Sequence, residues 1–308
     1  MPSNERLVSR ARGWMSAAVV LGMSALACQD ALAPSLPAGE LVYRSLGEGG
    51  LFLMRADGSE RRRVWFSNDD LAMCPSLSPD GSKIAFHKLN ANQIFAVDLA
   101  TGEERQLTTG PYQNQCPIWS PDGTKIAFIR LQAVSTPGYS LFVMHADGTN
   151  AIQLGSGTFV ADRGSWSPDG KRIAVSSWNN RLVYVDAATG VIDTIPTPEM
   201  LARAPEWSPD GQQITFSGQE NGIPAIYVMA ANGQNVRRLT SGSFTDQYPV
   251  WTLDGQFITF HRYQYKTINP GTQMLVASLH LLRLDGSEVP WIVGDSAQGD
   301  LAIWRPHS

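Results

Sequence analysis

Residues able to do chemistry are few in this chain of 308, which has five histidines and three cysteines. Cys74 and Cys116 form a possible disulfide pair if Cys28 is used elsewhere, since three cysteines make an odd count for an exported chain. An oxidising compartment would let them bond. The bond needs Cα atoms roughly 4.4–6.8 Å apart, and the sequence leaves open whether these two meet that window. His87 and His261 follow matching strand ends, Ala85-Phe86 and Thr259-Phe260. A metal needs several ligands converging to roughly 2.0–2.2 Å of one ion. Two distant histidines with no neighbouring Cys/His cluster make a weak centre, and strand-end polar residues are the plainer expectation. Neither a G-x-S-x-G elbow nor H-E-x-x-H occurs, and a Ser/His/Asp grouping cannot be read from separation alone. Most Asp residues sit in turn motifs where their backbone role suffices. No catalytic residue, metal or cofactor is assigned on this footing.

What must position these residues is a repeat. PIWSPDGTKIAF (Pro117–Phe128) recurs as PSLSPDGSKIAF from Pro75, GSWSPDGKRIAV from Gly164, PEWSPDGQQITF from Pro205 and PVWTLDGQFITF from Pro249. Ser-Pro-Asp-Gly is a turn former: proline fixes φ, aspartate tolerates the bridge region and glycine accepts a left-handed conformation. The β-branched and aromatic run after it fits a buried strand. A second apolar run follows each copy (IFAV at Ile94, LFVM at Leu141, LVYV at Leu182, IYVM at Ile226), then Asp-Gly, Thr-Gly or Asn-Gly closes a hairpin. Four strands per unit result. The turn glycines Gly81, Gly123, Gly170, Gly211 and Gly255 lie 42, 47, 41 and 44 residues apart, and that period with four strands predicts a β-propeller.

The chain ends complete the count. Glu40–Tyr43 reads as the second strand of a repeat that has lost its opening, and Leu301–Pro306 as an opening that stops after its tryptophan. Joined in one shared blade, they predict an all-β, six-bladed propeller of four-stranded antiparallel blades over 39–308. Closure removes the sheet edge that would invite aggregation.

Charge and the first residues narrow the function. The formal net charge is −4, becoming about −6 without residues 1–27, and no basic run supplies a footprint for nucleic acid. Arg61, Arg62 and Arg63 read as a solvated strand face. Arg6, Arg10 and Arg12 precede a short apolar run, Trp14–Ala27, too short to span a bilayer and shaped like a secretory signal peptide. Its end, SALAC, offers a small-x-small cleavage box and also resembles a bacterial lipobox. The latter implies a lipidated Cys28, residues 28–38 as lipidation site and linker, and, with Gln29 next, the outer membrane if the cell has one. The alternative is simple secretion.

P-x-W-S-P-D-G-x-x-I-A-F followed by L-x-V-M-x-x-D-G resembles the TolB-type propeller repeat, also called WD-repeat-like, over nearly everything from Gly39 to Pro306. TolB carries an additional N-terminal α/β domain, whereas only QDALAPSLPA separates Cys28 from the first strand here. That domain is expected to be absent, so the Tol–Pal role is not carried over intact. The resemblance implies a non-catalytic, monomeric binding module of the envelope, recognising a protein segment or small polar ligand, with membrane contact through the anchor alone. The alternative is a metal-assisted polysaccharide lyase or hydrolase, since some pectin-degrading lyases use a similar propeller with a histidine-bound metal. Specificity in a propeller lies where equivalent positions differ. Just before each repeat opening, at the expected channel mouth, stand Gln115, Asp162, Arg163, Arg203, Gln247, Tyr248 and Asp300. They are the expected binding ring. Two excursions, Leu131–Tyr139 and Tyr263–Gln273, read as exposed loops, the second aromatic enough to suit protein contact.

Overall fold

The computed structural model describes residues 39–45, 49–131, 139–155, 157–220, 222–242, 244–269, 272–293 and 299–305. For 266, 268, 272–275, 290–293, 299–303 and 305 only the backbone is described. The chain divides into two units, Met1–Ser35 and Leu36–Ser308, and every described residue lies in the second. Cys28 and the expected signal segment lie outside the described residues, as do 132–138 of the first excursion. Among the described residues the long elements are all strands, and no helix is long and apolar enough to cross a membrane.

Blade I begins with β1 (Glu40–Ser45), β2 (Leu51–Arg55) and β3 (Arg62–Trp65). Blade II is β4 (Ala72–Leu77), β5 (Lys83–Lys88), β6 (Gln93–Asp98) and β7 (Glu104–Gln106). Blade III is β8 (Gln113–Trp119), β9 (Lys125–Leu131), β10 (Ser140–His145) and β11 (Ile152–Gln153). Blade IV is β12 (Ser165–Trp166), β13 (Arg172–Ser176), β14 (Leu182–Asp186) and β15 (Ile192–Thr194). Blade V is β16 (Leu201–Trp207), β17 (Gln213–Glu220), β18 (Ile223–Ala230) and β19 (Arg237–Arg238). Blade VI is β20 (Thr245–Trp251), β21 (Phe257–Asn269), β22 (Thr272–Arg283) and β23 (Glu288–Val293). The last strand, β24 (Gly299–Arg305), returns to blade I and pairs antiparallel with β1, Leu41 opposite Trp304 and Val42 opposite Ile303. Six four-stranded sheets result, as the incomplete ends predicted. The first strands β4, β8, β12, β16, β20 and β24 each approach the next and close a ring around the axis.

The repeated dozen residues are explained by the seams between blades. In Ile126-Ala127-Phe128 of β9, side chains alternate across the sheet. Ile126 and Phe128 pack on Ala85 and Ile94 of blade II, whereas Ala127 joins the seam with Ile173 and Val175 of blade IV. Large residues thus face the preceding blade and the small one the following blade. Six such apolar clusters fill the six seams, including one in which Leu41, Tyr43 and Trp304 of blade I meet Leu279 and Leu281 of blade VI. Phe86, Phe128, Phe216 and Phe260 are fully buried, each worth about 1.5–3 kcal/mol relative to exposure. The tryptophans pack between blades as expected, and their nitrogens tie the seams: the Trp166 indole donates to the Ile118 carbonyl at 3.2 Å and that of Trp251 to the Glu206 carbonyl at 3.2 Å. The opening turns also hold. The Ser120 hydroxyl donates to Asp122 at 2.6 Å, and Gly123 sits at φ 69°, against the Pro79 ring of the blade before.

One expectation is corrected. Tyr263–Gln273 does not form a loop: β21 and β22 run on as one hairpin, with Tyr265 opposite Leu275 and Thr267 opposite Gln273. Alternating Tyr-Gln-Tyr-Lys-Thr is strand grammar, and the continuing ladder satisfies its backbone groups.

Candidate functional site

Four innermost strands, β4, β8, β16 and β20, carry the same interruption. Cys74, Cys116, Ala204 and Tyr248 have φ between 48° and 55° although none is glycine, and each precedes a proline. The pairing register shifts at each, as between Gln115 and Ile118 or Gln247 and Val250. A left-handed residue followed by proline is a bulge that turns one amide out of its own ladder. In blades III, V and VI that amide is taken by the preceding blade. Cys116 N–H donates to His87 Nδ1 at 3.3 Å, Ala204 N–H to Ser176 Oγ at 3.2 Å and Tyr248 N–H to Ser217 Oγ at 2.9 Å. His87 therefore has an inter-blade latching role at a position where other blades use serine. Blade III offers Ile129 instead, and there Asp162 accepts the Arg163 N–H itself at 2.8 Å.

The expectation that no Cys/His cluster adjoins His87 is overturned. Cys74, His87 and Cys116 bring their sulfur and ring-nitrogen atoms within 4.8 Å of one another, because both cysteines occupy the same bulge position in adjacent blades. Their Cα atoms are 4.9 Å apart, inside the disulfide window. His87 is buried, and burial, reinforced by the Arg44 guanidinium, lowers its pKa to about 4.

The expected mouth residues share the starts of the innermost strands but differ in environment. Gln115 and Gln247 are half-buried beside Ile129 and His261. Tyr248 sets its ring edge-on to His261 at 6.2 Å. Arg203 is exposed and donates to Asn180 at 2.8 Å. Burial pushes the Asp162 carboxyl up, against its hydrogen bonds and the Arg203 charge. Asp300 lies in β24, and its side chain is outside the described residues. Arg163 departs from the ring. It is buried and points into a cavity of about 320 Å³ at the other end of the channel. Five tryptophans (Trp119, Trp166, Trp207, Trp251 and Trp304) line that cavity, together with Glu206. Arg163 Nε stands 3.8 Å from Glu206 Oε2, and burial pushes the Glu206 carboxyl above its ordinary range.

Antiparallel blades send their connections to two faces. The hairpins between second and third strands and the links between blades emerge on one, the loop face. The Ser-Pro-Asp-Gly turns and the outer hairpins emerge on the other, the turn face. Of twelve exposed large hydrophobic side chains among the described residues, nine belong to the loop face: Phe66, Leu71, Leu89, Tyr112, Trp178, Leu201, Ile223, Phe244 and Tyr265. Only Ile152, Val191 and Leu253 lie elsewhere. The extended β21–β22 hairpin rises from this same face, Tyr265 being 70% exposed on it.

Residues 123–265 match the TolB beta propeller domain family. The chain is a six-bladed β-propeller similar to the TolB family. A TolB homolog from Chlorobium luteolum is 39% identical over 61 residues, 19% of this chain and 14% of that protein. The crystal structure of TolB from Acinetobacter baumannii is similar with a TM-score of 0.72 at 19% identity, over 89% of this chain and 68% of that one. The oligogalacturonate lyase of Vibrio parahaemolyticus is more distant, with a TM-score of 0.57 at 12% identity over 84% of this chain and 82% of that one. At such identities the two structures speak for the fold alone. In this TolB-like propeller, reading the sequence missed Glu206, because it sits inside the repeated dozen otherwise read as scaffold. The signal was present: the residue before each tryptophan is Ile118, Ser165, Glu206, Val250 and Ile303, and only one of these is charged.

Proposed function

We propose that this protein is an exported, non-catalytic binding module of the bacterial envelope. It is anchored by lipid at Cys28, acts as a single propeller and takes up a segment of a partner protein on its loop face. The observation that carries this reading is the asymmetry of apolar exposure: among the described residues, nine of the twelve exposed large hydrophobic side chains lie on one face of the propeller. Aromatic anchors within a polar surround are the usual energetic centre of a protein contact. Phe244, Leu201 and Tyr265 serve as anchors, and the half-buried Gln115, Gln247 and Tyr248, with Arg203 and Asp300, as the polar surround. Anchoring and export rest on the sequence of the first 28 residues and on likeness to the TolB homolog. A disulfide between Cys74 and Cys116 belongs to the same reading, since an oxidising compartment sustains it.

The lyase alternative requires several His, Asp or Glu side chains converging in the channel. Among the described lining residues of the channel cavity, Glu206 is the one such group, and likeness to the lyase is distant.

The test places a photo-crosslinking amino acid at Tyr265 on the loop face or at Val191 on the turn face, in the full chain in its native cells. A discrete adduct from Tyr265, weakened by Arg203→Glu, and none from Val191 is the expected result. Adducts from Val191 alone, or equal adducts from both, would move the site off the loop face. Recovery of the protein in the soluble fraction, unchanged by Cys28→Ala, would remove the anchor.

A further inference from the structure

Three departures from the repeat meet at one place on the innermost strands. Cys74 and Cys116 hold the bulge position of blades II and III, where blades V and VI have Ala204 and Tyr248. The bulge therefore does not call for sulfur. His87 holds the strand-end position at which blades IV and V have Ser176 and Ser217. Those hydroxyls accept the bulge amide of the next blade at 3.2 and 2.9 Å, against 3.3 Å for His87 Nδ1, so the latch does not call for imidazole. A structural disulfide accounts for the two cysteines and leaves the histidine unexplained. Yet the fold gathers all three, two sulfurs and a ring nitrogen lying within 4.8 Å of one another. His87 and Cys116 are 4% and 5% exposed. Because His87 Nδ1 accepts the Cys116 amide, that nitrogen carries a lone pair already facing Cys116.

Two cysteine sulfurs and one imidazole make a soft donor set, the kind that selects cuprous or zinc ions. A structural zinc site closes with four ligands, whereas the cluster offers three among the described residues. A cuprous ion is satisfied by two or three soft ligands, and a buried setting controls the access of water to it. We infer that Cys74, Cys116 and His87 form a redox-gated site for a single cuprous ion, open only while the two cysteines are reduced. In the disulfide neither sulfur is a thiolate, and the site is shut. An external dithiol opens it: the S–S bond breaks, two electrons and two protons pass from the dithiol to the cysteine sulfurs, and the dithiol leaves as its own disulfide. Rotation of the two side chains, on backbones whose Cα atoms are 4.9 Å apart, sets the sulfurs to either side of one ion. Each thiol loses its proton as its sulfur–copper bond forms, and His87 Nδ1 exchanges its 3.3 Å bond to the amide for the third bond to the metal. Reoxidation passes two electrons to an external disulfide, which takes two protons from water, and expels the ion. No residue of this site is among the loop-face anchors, so its failure would leave the partner reading standing.

The test uses the full chain carrying Cys28→Ser, which leaves Cys74 and Cys116 as its two cysteines. Reduced and disulfide-bonded samples, handled without oxygen, compete for cuprous ion with the coloured chelator bathocuproine disulfonate, and X-ray absorption at the copper edge reports the donor atoms. The reduced protein should take one equivalent of copper, with two sulfur neighbours and one nitrogen, and the disulfide form should bind at least about a hundredfold more weakly. Cys74→Ser and Cys116→Ser should each abolish uptake. His87→Gln should weaken it by about tenfold or more and remove the nitrogen neighbour. No uptake by the reduced form, equal uptake by both forms, displacement of the copper by an equal amount of zinc, or a His87→Gln protein with unchanged affinity and donor atoms would each overturn the inference. So would a reduced, metal-free chain that has lost its near-ultraviolet dichroism, because the site needs a folded reduced state. Where a variant fails to fold, the two redox forms of the parent and its copper neighbours decide alone.

Discussion

Acid should loosen the seam between blades II and III through His87. The ring is buried, its Nδ1 accepts the Cys116 amide, and its pKa lies near 4. Burial is the main cause and the Arg44 charge the second, with Asp70 pulling weakly the other way. In the unfolded chain the same imidazole titrates near 6.5. Between those values the unfolded chain binds a proton that the folded chain refuses, so stability falls as pH falls. The contribution is intact above pH 6.5 and is lost progressively toward pH 4. At about 1.4 kcal/mol per pH unit the loss reaches about 2.5 kcal/mol at pH 4.5, a large part of the 5–15 kcal/mol typical of a domain. His87→Gln removes the titration while leaving an amide oxygen able to accept from Cys116. Urea unfolding of both proteins at pH 7 and pH 4.5 isolates the effect, because all other groups titrate alike in the two. The wild type should lose about 2.5 kcal/mol more than the variant on acidification. Parallel losses would refute the reasoning.

Two further outcomes follow from the same structure. Reducing the Cys74–Cys116 bond, or replacing both residues by serine, should lower stability by about 4 kcal/mol from loop-closure entropy, the sequence separation being 42 residues; denaturant midpoints with and without reductant measure it. Arg262→Ala should cost about 3–5 kcal/mol by leaving Asp246 buried and uncompensated, with Arg262→Lys recovering only part, since the two-point grip of the guanidinium is lost.

The fold was legible because it is periodic. Glycine spacing counts blades, alternation in Ile-Ala-Phe assigns seams, and the half-repeats around Leu41 and Trp304 announce their own pairing. The site was legible only in part, because it depends on departures from the period. Gln115, Asp162 and Arg203 were singled out by their differences at an equivalent position. Glu206 was hidden by membership in the repeated dozen, and the meeting of His87 with Cys116 depends on a bulge whose left-handed φ no residue type advertises. The apolar loop face escaped notice because its members are scattered singly along the chain, from Phe66 to Tyr265, and gather only when the connections are sorted by face. Tyr263–Gln273 misled for a related reason, since an insertion in a repeat is read as a loop even when it lengthens two paired strands.

Shared custody of blade I by the first and last strands of the propeller has a consequence for folding. A chain delivered from its N-terminal side presents β1 early, with all six of its residues destined for burial, yet β24, the strand that covers its inner edge, follows every other blade. Five blades can stack as they arrive, but throughout that interval the growing wheel is an open crescent with a raw strand at its rim, the kind of edge that recruits strangers. Until Gly299–Arg305 arrives to cover Glu40–Ser45, that rim is the place where misassembly can start.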